Sequence, residues 1–554
     1  MTTLPQTQYA VQLVDADELV LNTSKEVIEP GRRQILCGVE AVGLCFSDLK
    51  LLKLFSSHVR KGEIIGGIDQ KVLKEIPSYV PGPAPTVPGH EAVVRIEAVG
   101  CEVKNFRPGE RYLVQTDYRW LRTVGSNAAF GYNFEGALQE YVLMDERVIV
   151  SPGGESMLIP VPQRLSCSEA ALVEPWACVE NSYTSRERRR LKQDGRMLVV
   201  ADAAVADDIF HNLFKHYGRP AQITWLSEIR PPAKLGAAAK KANEVSEVAD
   251  NSYDDVIYFG SEAKTVEGLF AKLAGRGLFN IVLCGCKFGS DVVTAVGRVH
   301  YEGIRIIGTT GFDSAESMEH IPESGEIRPR DRINVVGAGG PMGMMHVIRN
   351  ICQGTKDISI FAGDLDDKRL AALAKIAGPL AEKNGVEYKP YNPSRDKITG
   401  TFDYTVLMAP SADLVGGSVD SAGEGGIINI FAGIDVAVAA RVNLDDYIEK
   451  RLYFVGTSGS VLEDMKEVLG KVASGRLDTN VCVAAVCGLD GAVEAIRAVE
   501  GRRIAGKIIV YPSCRGLGLV ALEELGEKIP EVAARLNNGL WSGQAEQRLL
   551  EMYQ

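Results

Sequence analysis

Three side chains with metal-binding chemistry stand far apart in the first third of the chain. Cys45 follows a β-type run, His90 follows a Pro-Gly pair, and Glu174 precedes a proline. Zinc in proteins takes thiolate, imidazole and carboxylate ligands, and three of them leave a position open for a substrate oxygen. The sequence therefore predicts a catalytic metal site. The alternative is that each of the three residues is structural.

A glycine-rich segment could bind the phosphates of a dinucleotide. The apolar run Arg332–Val336 leads into it and a helical pattern follows, which is the context that pyrophosphate binding requires. Its candidate cofactor-binding residues are Gly337, Gly339, Gly340, Pro341, Met342 and Gly343. Asp364 ends the next predicted strand, 21 residues after Gly343. A carboxylate there accepts ribose hydroxyls and repels a 2′-phosphate, which predicts NAD rather than NADP. The alternative for Asp364 is a turn or a helix cap.

The elements that position these residues differ between the two parts of the chain. Residues 1–190 contain short β-type runs separated by Pro and Gly, which is typical of a small antiparallel barrel. From about Gly195, apolar strands alternate with helical segments, which predicts parallel sheets with helices on both faces. Residues 513–554 predict a helical tail that docks on the rest of the protein.

The α/β region repeats itself. The run Tyr253–Ile257 matches Phe402–Val406, and Gly277–Ile281 matches Gly426–Ile430 at the same offset of 149 residues. We therefore expect two tandem doubly wound, Rossmann-like domains, residues 195–328 and residues 329–479. The first has no phosphate loop, because residues 201–208 contain three carboxylates and no glycine. Only the second domain is predicted to bind a dinucleotide.

Composition limits the partners and the compartment. Acidic residues outnumber basic residues by 72 to 61, which argues against nucleic acid as a partner. No apolar stretch of about 18 residues predicts a membrane span. Eleven cysteines without the spacing of a zinc finger, and no secretory pattern at the start of the chain, favour the cytoplasm.

Several of these motifs together resemble the zinc-containing medium-chain alcohol dehydrogenases and reductases. The likeness is greatest to their polyol and sugar branch, the L-sorbose-1-phosphate reductase and sorbitol dehydrogenase group. It covers residues 1–190 and 330–512, and the motifs that carry it are Gly43–Asp48, Gly89–Glu91, Gly136–Tyr141, Glu174–Pro175, Gly337–Gly343, Phe431–Gly433, Val455–Gly459 and Gly506–Val510. The resemblance implies a GroES-like β-barrel catalytic domain, completed by residues 480–512, and a Rossmann domain.

The resemblance also assigns roles to residues. Cys45, His90 and Glu174 correspond to the catalytic zinc ligands, and Glu91 is a fourth ligand or a neighbour of the ligands. Ser47 corresponds to the hydroxyl that relays the substrate proton, and Asp48 to a carboxylate beside the site. The four-cysteine lobe that holds a structural zinc is absent, which implies one zinc per chain. Two features depart from the family: an insertion at about Leu51–Pro85 and the extra, degenerate domain at 195–328.

The function implied is reversible hydride transfer between NAD(H) and a secondary alcohol or ketone of a polyol, sugar or sugar phosphate. Arg119, Arg122 and Asn133 could hold substrate hydroxyls or a phosphate, or could be ordinary surface residues. One alternative is a sugar epimerase or lyase that uses tightly bound NAD transiently. Another is a non-catalytic sensor or scaffold.

The chain could form a homo-oligomer. Alternatively, the repeated domains could form an internal pseudo-dimer through their last strands, Arg305–Thr310 and Leu452–Thr457.

Overall fold

The computed structural model describes residues 4–202, 204–233, 235, 239–242 and 244–553. The chain forms two compact units. The first joins residues 1–177 to residues 460–554, and the second contains residues 178–459. No helix in the described part of the chain is both long enough and apolar enough to cross a lipid bilayer.

An eight-stranded, mainly antiparallel sheet is the centre of the first unit. Its middle strand, Gln34–Gly43, pairs antiparallel with Glu91–Val99, Tyr141–Asp145 and the C-terminal strand Lys507–Val510. The other strands of this unit are Thr7–Asp15, Glu18–Glu26, Arg111–Val114, Asp117–Arg122, Asn127–Ala129, Leu158–Pro160, Val483–Cys487 and Val520–Ala521. This architecture fits the predicted β-rich, GroES-like domain.

Short helices connect these strands. The α-helices of the first unit are Phe46–Leu54, Gln70–Leu73, Glu146–Ile149, Cys167–Ala171, Leu462–Ala473, Leu489–Glu500, Leu525–Lys528, Pro530–Ala533 and Gly543–Tyr553. Single 3-10 turns lie at Phe55–Ser57, Val59–Lys61, Thr479–Cys482 and Leu522–Glu524. The helix Val173–Thr184 runs from the first unit into the second.

The chain returns to the first unit at Ser460, earlier than the expected position near residue 480. The reason is the helix Leu462–Ala473, whose buried face is apolar. Arg164 donates a hydrogen bond to the Ala473 carbonyl at the end of this helix (2.7 Å), and Arg119 donates one to the Ser460 carbonyl (2.6 Å). These contacts attach the helix to the β-rich unit.

The C-terminal tail docks on the first unit through one buried glutamate. The Glu546 carboxylate accepts hydrogen bonds from the backbone N–H groups of Cys167 and Ser168, at the start of the helix Cys167–Ala171. It also accepts one from the Tyr511 hydroxyl (2.9 Å). Trp541, which is 1% exposed, packs beside Tyr511. A carboxylate at a helix N-terminus satisfies N–H groups that have no partner within the helix.

Two six-stranded parallel sheets form the second unit. The strands of the first sheet, in spatial order, are Ala239–Ala242, Gln222–Leu226, Arg196–Ala201, Tyr253–Phe259, Leu273–Val282 and Arg305–Thr309. Those of the second sheet are Glu387–Tyr391, Ser359–Gly363, Arg332–Val336, Phe402–Leu407, Ala422–Ile430 and Tyr453–Val455. Numbered along the chain, both sheets have the order 3-2-1-4-5-6, which is that of doubly wound dinucleotide-binding folds.

Helices cover these sheets. The α-helices of the second unit are Ile209–Tyr217, Ala263–Leu269, Val296–Tyr301, Ser314–Glu319, Pro341–Cys352, Asp367–Asn384, Ala412–Ser421 and Leu444–Glu449, with 3-10 turns at Val245–Glu247 and Phe270–Lys272. Because both faces are covered, the central strands are continuous apolar runs such as Met197–Ala201, which is buried throughout.

The two sheets contact each other, but not by pairing of their last strands as the sequence suggests. The backbone pairing is between two short strands outside the sheets, Val292–Thr294 and Ala440–Val442, which run antiparallel. The helix Leu444–Glu449 packs on the last strand of the first sheet, so that Ile448 lies against Gly308. The two last strands, Arg305–Thr309 and Tyr453–Val455, lie near each other, but no backbone ladder joins these two described strands.

Candidate functional site

The metal-binding residues of the first unit converge at the end of one strand pair. In the antiparallel pairing of Gln34–Gly43 with Glu91–Val99, Gly43 is the partner of Glu91. Cys45 follows the first strand and His90 precedes the second, so the pairing brings these residues to the same edge. A Cβ atom on Gly43 would lie 2.2 Å from Glu91 Oε2, so only glycine leaves room for this carboxylate.

The structure groups Cys45, His90 and Glu91. One ligand atom from each of these residues lies within 4.8 Å of the others, and among the described residues this is the one such group of three or more. His90 and Glu91 are buried, with His90 6% exposed. We call these three residues the Cys45 group. A sulfur, a nitrogen and a carboxylate oxygen form a donor set that suits zinc.

Glu174 is not a member of this group. It lies in the first turn of the helix Val173–Thr184 and is 6% exposed. The sequence ranked Glu174 as the third ligand and left open whether Glu91 ligates directly. The Glu91 carboxylate is the third member of the Cys45 group, and metal ligation by Glu174 stays a prediction.

One oxygen of Glu91 has no hydrogen-bond partner in the part of the chain that the structure describes. Lys507 donates hydrogen bonds to Glu91 Oε1 (2.5 Å) and to the Leu44 carbonyl (2.8 Å). Glu91 Oε2 is buried and has no hydrogen-bond partner among the described residues. A buried carboxylate oxygen without a partner is costly unless a cation or donor completes it. The residues present therefore fit a metal ion.

Asp48 holds the His90 ring. Asp48 Oδ1 lies 2.9 Å from His90 Nδ1, and Oδ2 accepts a hydrogen bond from the Cys45 backbone N–H (3.1 Å). Burial alone would lower the pKa of His90, but the Asp48 charge and hydrogen bond outweigh it and raise that pKa well above its ordinary value. A proton held at Nδ1 leaves Nε2 as the ligand atom, as in carboxylate–histidine–zinc arrangements.

Ser47 lies at the centre of the site. Its hydroxyl is 3.1 Å from Cys45 Sγ and 3.2 Å from His90 Nε2. It also forms a hydrogen bond with the Tyr132 phenol, whose pKa is raised by burial. A hydroxyl can donate and accept at once, so Ser47 can pass a proton. The structure thus brings together Cys45, Ser47, Asp48, His90 and Glu91.

The insertion borders this site. The His58 ring lies 5.1 Å from the Tyr132 ring, and the Arg60 guanidinium lies 5.5 Å from its centroid. Arg60 also pairs with Asp117 at 2.8 Å. Burial lowers the pKa of His58 to about 4, so this imidazole is neutral at pH 7. Lys61, with 0% exposure, donates a hydrogen bond to the Ala84 carbonyl (2.8 Å) and so connects the middle of the insertion to its C-terminal end.

Of the three residues that could hold substrate hydroxyls or a phosphate, Asn133 has a structural role. Its amide nitrogen donates to the Gly62 carbonyl (3.0 Å) and its amide oxygen accepts from the Ala129 N–H (3.0 Å). It is 0% exposed, so its polar atoms are already satisfied. Arg119 and Arg122 lie on the strand Asp117–Arg122 with exposed side chains.

Lys507 and Tyr132 are site residues that the sequence reasoning missed. Lys507 begins the apolar strand Lys507–Val510, so a lone lysine before Ile508 was the available signal. The Glu91 carboxylate overcomes the effect of burial and raises the pKa of Lys507. Tyr132 has no comparable signal, since it stands in a loop. Its 3% exposure becomes visible only when the chain is folded.

The glycine segment of the second sheet has the geometry of a phosphate-binding loop. Gly337 has φ +84 directly after the strand Arg332–Val336. A Cβ atom on Gly343 would lie 2.2 Å from the Gly337 carbonyl oxygen. Gly340 precedes the helix Pro341–Cys352, which has Pro341 in its first turn and Met342 as its second residue. The loop therefore directs free N–H groups of a 12-residue helix toward the edge where an anion would bind.

Asp364 lies beside this loop. Its Oδ2 accepts a hydrogen bond from the Gly339 N–H (2.9 Å) and its Oδ1 accepts one from the Asp366 N–H (3.0 Å). Asp364 therefore has the turn-forming role that the sequence analysis gave as an alternative. The same contacts hold a negative charge next to the phosphate loop, where it would face the ribose.

The corresponding end of the first sheet is filled by protein. The Tyr258 hydroxyl donates a hydrogen bond to Asp202, which follows the strand Arg196–Ala201, and accepts one from the Glu262 N–H (2.9 Å). A Cβ atom on Gly260 would lie 2.5 Å from the Tyr258 hydroxyl. Ala203, within the glycine-free segment, lies outside the described residues. The space next to Asp202 is occupied by a tyrosine, and its carboxylate would repel a phosphate.

Comparisons with known proteins agree with this geometry. The Alcohol dehydrogenase GroES-like domain family matches residues 31–153. The chain is 28% identical over 247 residues to the Uncharacterized protein YggP of Escherichia coli (strain K12), covering 41% of this chain and 58% of that protein. It is 28% identical over 236 residues to the L-sorbose 1-phosphate reductase of Klebsiella pneumoniae, covering 40% of this chain and 56% of that protein.

The match to these curated relatives therefore spans less than three fifths of their length. A similar fold occurs in the crystal structure of 2R,3R-butanediol dehydrogenase from Bacillus subtilis, with a TM-score of 0.50 and 15% sequence identity. That alignment covers 91% of this chain and 100% of the other. Together the matches confirm the resemblance to the zinc-containing medium-chain alcohol dehydrogenases and their polyol branch.

Proposed function

We propose that the protein is a zinc-dependent oxidoreductase that transfers a hydride between NAD(H) and a secondary alcohol or ketone of a polyol, a sugar or a sugar phosphate. The observation that carries this proposal is the Cys45 group, whose ligand atoms lie within 4.8 Å of one another. Glu91 Oε2, which is buried and has no hydrogen-bond partner within the described ranges, supports a cation there. The substrate class is supported by the L-sorbose 1-phosphate reductase relative.

Cys45 Sγ, His90 Nε2 and a Glu91 oxygen would hold one zinc ion. A zinc ion bound there would act as a Lewis acid that lowers the pKa of a substrate hydroxyl. Asp48 fixes the ring of His90 through Nδ1 (2.9 Å). Lys507 holds Glu91 Oε1 and offsets part of the negative charge of the thiolate and carboxylate.

Ser47 would move the substrate proton. Its hydroxyl is close to two of the ligand atoms and hydrogen-bonded to Tyr132. The Ser47 hydroxyl would accept the proton of a substrate hydroxyl as its own proton leaves toward bulk water, and its hydrogen bond to Tyr132 would orient it for this transfer. Removal of that proton allows the carbinol carbon to release a hydride to the nicotinamide ring.

We propose further that the two sheets of the second unit are copies of one module, and that only the second copy binds NAD. The shared strand order and the constant offset of 149 residues support the duplication. The glycine loop beside Asp364 supports dinucleotide binding in the second copy. We call residues 195–328 the first module and residues 329–459 the second module.

A substrate screen tests the proposed function. Polyols, sugars and sugar phosphates are incubated with the protein and NAD⁺, and NADH formation is measured. We expect at least one of these classes to give NADH, with the activity lost on chelation and restored by zinc. Cys101→Ser, which changes an exposed cysteine of the same unit, is the matched control and should keep full activity.

Two outcomes would contradict the proposal. Stoichiometric NAD in the purified protein, with substrate conversion but no net NADH release, would indicate an epimerase or lyase. Absence of zinc and of any turnover would indicate a sensor or scaffold.

A further inference from the structure

The first module contacts the second at the end of the sheet where a dinucleotide would bind. In doubly wound sheets the ligand lies outside the carboxyl ends of the strands, and each half of the sheet takes one nucleotide. The glycine loop and Asp364 belong to strands 1 and 2 of the second sheet and would take the adenosine half. The segments that follow strands 5 and 6, at Phe431 and Gly456, would therefore face the nicotinamide half.

His300 of the first module lies against both of these segments. His300 Nδ1 lies 3.1 Å from the Ile430 carbonyl oxygen, and its ring centroid lies 6.1 Å from that of Phe431. A Cβ atom on Gly456 would lie 3.0 Å from His300 Cα and 3.0 Å from the Ile430 carbonyl oxygen. A side chain at position 456 would require the His300 backbone or the Ile430 carbonyl to shift by a few tenths of an ångström. The end of the helix Val296–Tyr301 therefore sets the distance between the two segments.

Arg305 of the first module also contacts the segment that begins at Gly456. Its guanidinium pairs with Glu187 at 2.7 Å and donates a hydrogen bond to the Gly456 carbonyl (3.3 Å). Glu187 also accepts a hydrogen bond from the Tyr453 hydroxyl (2.9 Å), on the last strand of the second sheet. Arg305 is largely buried, so this network holds the start of the 456–459 segment from the side of the first module.

The contact between the modules is reciprocal. The helix Val296–Tyr301 of the first module packs on the last strand of the second sheet, and the helix Leu444–Glu449 of the second packs on the last strand of the first sheet. The Tyr447 hydroxyl donates to the Ile306 carbonyl (2.9 Å), and apolar residues of both modules share one buried cluster. Such reciprocity is typical of a two-fold interface between subunits.

One buried hydroxyl beside Gly456 lacks a hydrogen-bond partner in the described structure. Thr457 Oγ1 is buried and has no hydrogen-bond partner among the described residues. Buried hydroxyls in native proteins are normally satisfied, so a ligand that lies here would complete it. In the first module, the Thr309 hydroxyl at the end of strand 6 already donates a hydrogen bond to Glu316 Oε2 (2.7 Å), and Tyr258 fills the space beside Asp202 at the end of strand 1.

We propose that the first module is an internal scaffold for the cofactor site of the second, and that His300 is a positioning residue for the nicotinamide half of NAD(H). The first module has lost its own phosphate loop and kept the surface that contacts the second module. This inference rests on the proposed function, since it takes NAD(H) as the cofactor.

The test compares NADH with ADP, which contains only the adenosine half. Binding of each is measured by calorimetry for the wild-type protein and for His300→Ala. We expect His300→Ala to weaken NADH binding about 10-fold, the effect of losing about one hydrogen bond, and to leave ADP binding unchanged. His300→Asn places an amide nitrogen near the position of Nδ1 and should restore most of the NADH affinity.

Thr294→Val is the matched control at the same contact between the modules. Its hydroxyl donates within its own strand to the Val292 carbonyl (3.1 Å), so the variant should bind both ligands as the wild type does. Equal NADH affinity in His300→Ala and wild type would overturn the inference, and so would an equal loss for NADH and ADP. If the wild-type protein bound neither ligand, the proposed function would fail and the inference with it.

Discussion

At the scale of single residues, Glu91 connects two parts of the candidate site. One oxygen accepts a hydrogen bond from Lys507, and the other is buried next to Gly43 with no hydrogen-bond partner among the described residues. The sequence could predict Cys45 and His90, because thiols and imidazoles near strand ends are few. It could not predict that the Glu91 carboxylate lies beside Cys45 and His90, because this depends on the pairing of Gly43 with Glu91 across the sheet. The sequence could not predict Lys507 as a site residue either, because its partner Glu91 lies 416 residues away along the chain.

The Lys507–Glu91 pair gives a prediction about stability. Lys507→Met leaves the Glu91 carboxylate buried and uncompensated, so the metal-free protein should lose about 3–5 kcal/mol of unfolding free energy. Zinc should recover most of this loss, because a cation again faces the carboxylate. Denaturant unfolding with and without zinc measures both effects.

Lys528→Met is the control, since it breaks an exposed pair with Glu524 and should change little. A loss that zinc leaves unchanged would argue against a metal beside Glu91.

At the scale of elements, the strand–loop–helix that contains Gly337–Gly343 could be predicted closely. The backbone of the loop itself requires its glycines, and so the sequence alone indicates them. Gly337 has a positive φ, and Gly343 lies against the Gly337 carbonyl. The insertion could not be predicted in the same way. Its position near Tyr132 depends on Lys61, a buried lysine that ties residue 61 to the carbonyl of Ala84. A charged residue in a polar segment gives no sign of such burial.

Asp364, at the end of the strand Ser359–Gly363, should set the choice between NAD and NADP. Asp364→Asn keeps an oxygen that can accept the Gly339 N–H but removes the charge that repels a 2′-phosphate. We expect the ratio of kcat/KM for NADP⁺ to that for NAD⁺ to rise about 10-fold or more, which corresponds to about 1.4 kcal/mol. Steady-state kinetics with both cofactors measures this ratio.

Asp366→Asn is the matched control, because Asp366 accepts hydrogen bonds from the Lys368 and Arg369 N–H groups at the start of the next helix. Its ratio should stay at the wild-type value. The same ratio in Asp364→Asn and wild type would show that this carboxylate does not select the cofactor.

At the scale of the whole chain, 554 residues hold one candidate metal site and one phosphate loop within the described residues. The repeat of strand patterns could be predicted from the sequence, since each strand carries its own apolar run. The way in which the modules meet could not, because the pairing of Val292–Thr294 with Ala440–Val442 joins short segments without a distinct pattern. The return of the chain at Ser460 was also missed, because it depends on a helix that contacts distant residues.

The zinc content of the purified protein tests the central claim most directly. Elemental analysis should find about one zinc per chain in the wild-type protein, and Cys45→Ser and His90→Ala should each lose most of it together with NADH formation. Cys101→Ser should keep both. The account would be contradicted if either Cys45→Ser or His90→Ala retained both the zinc and full turnover.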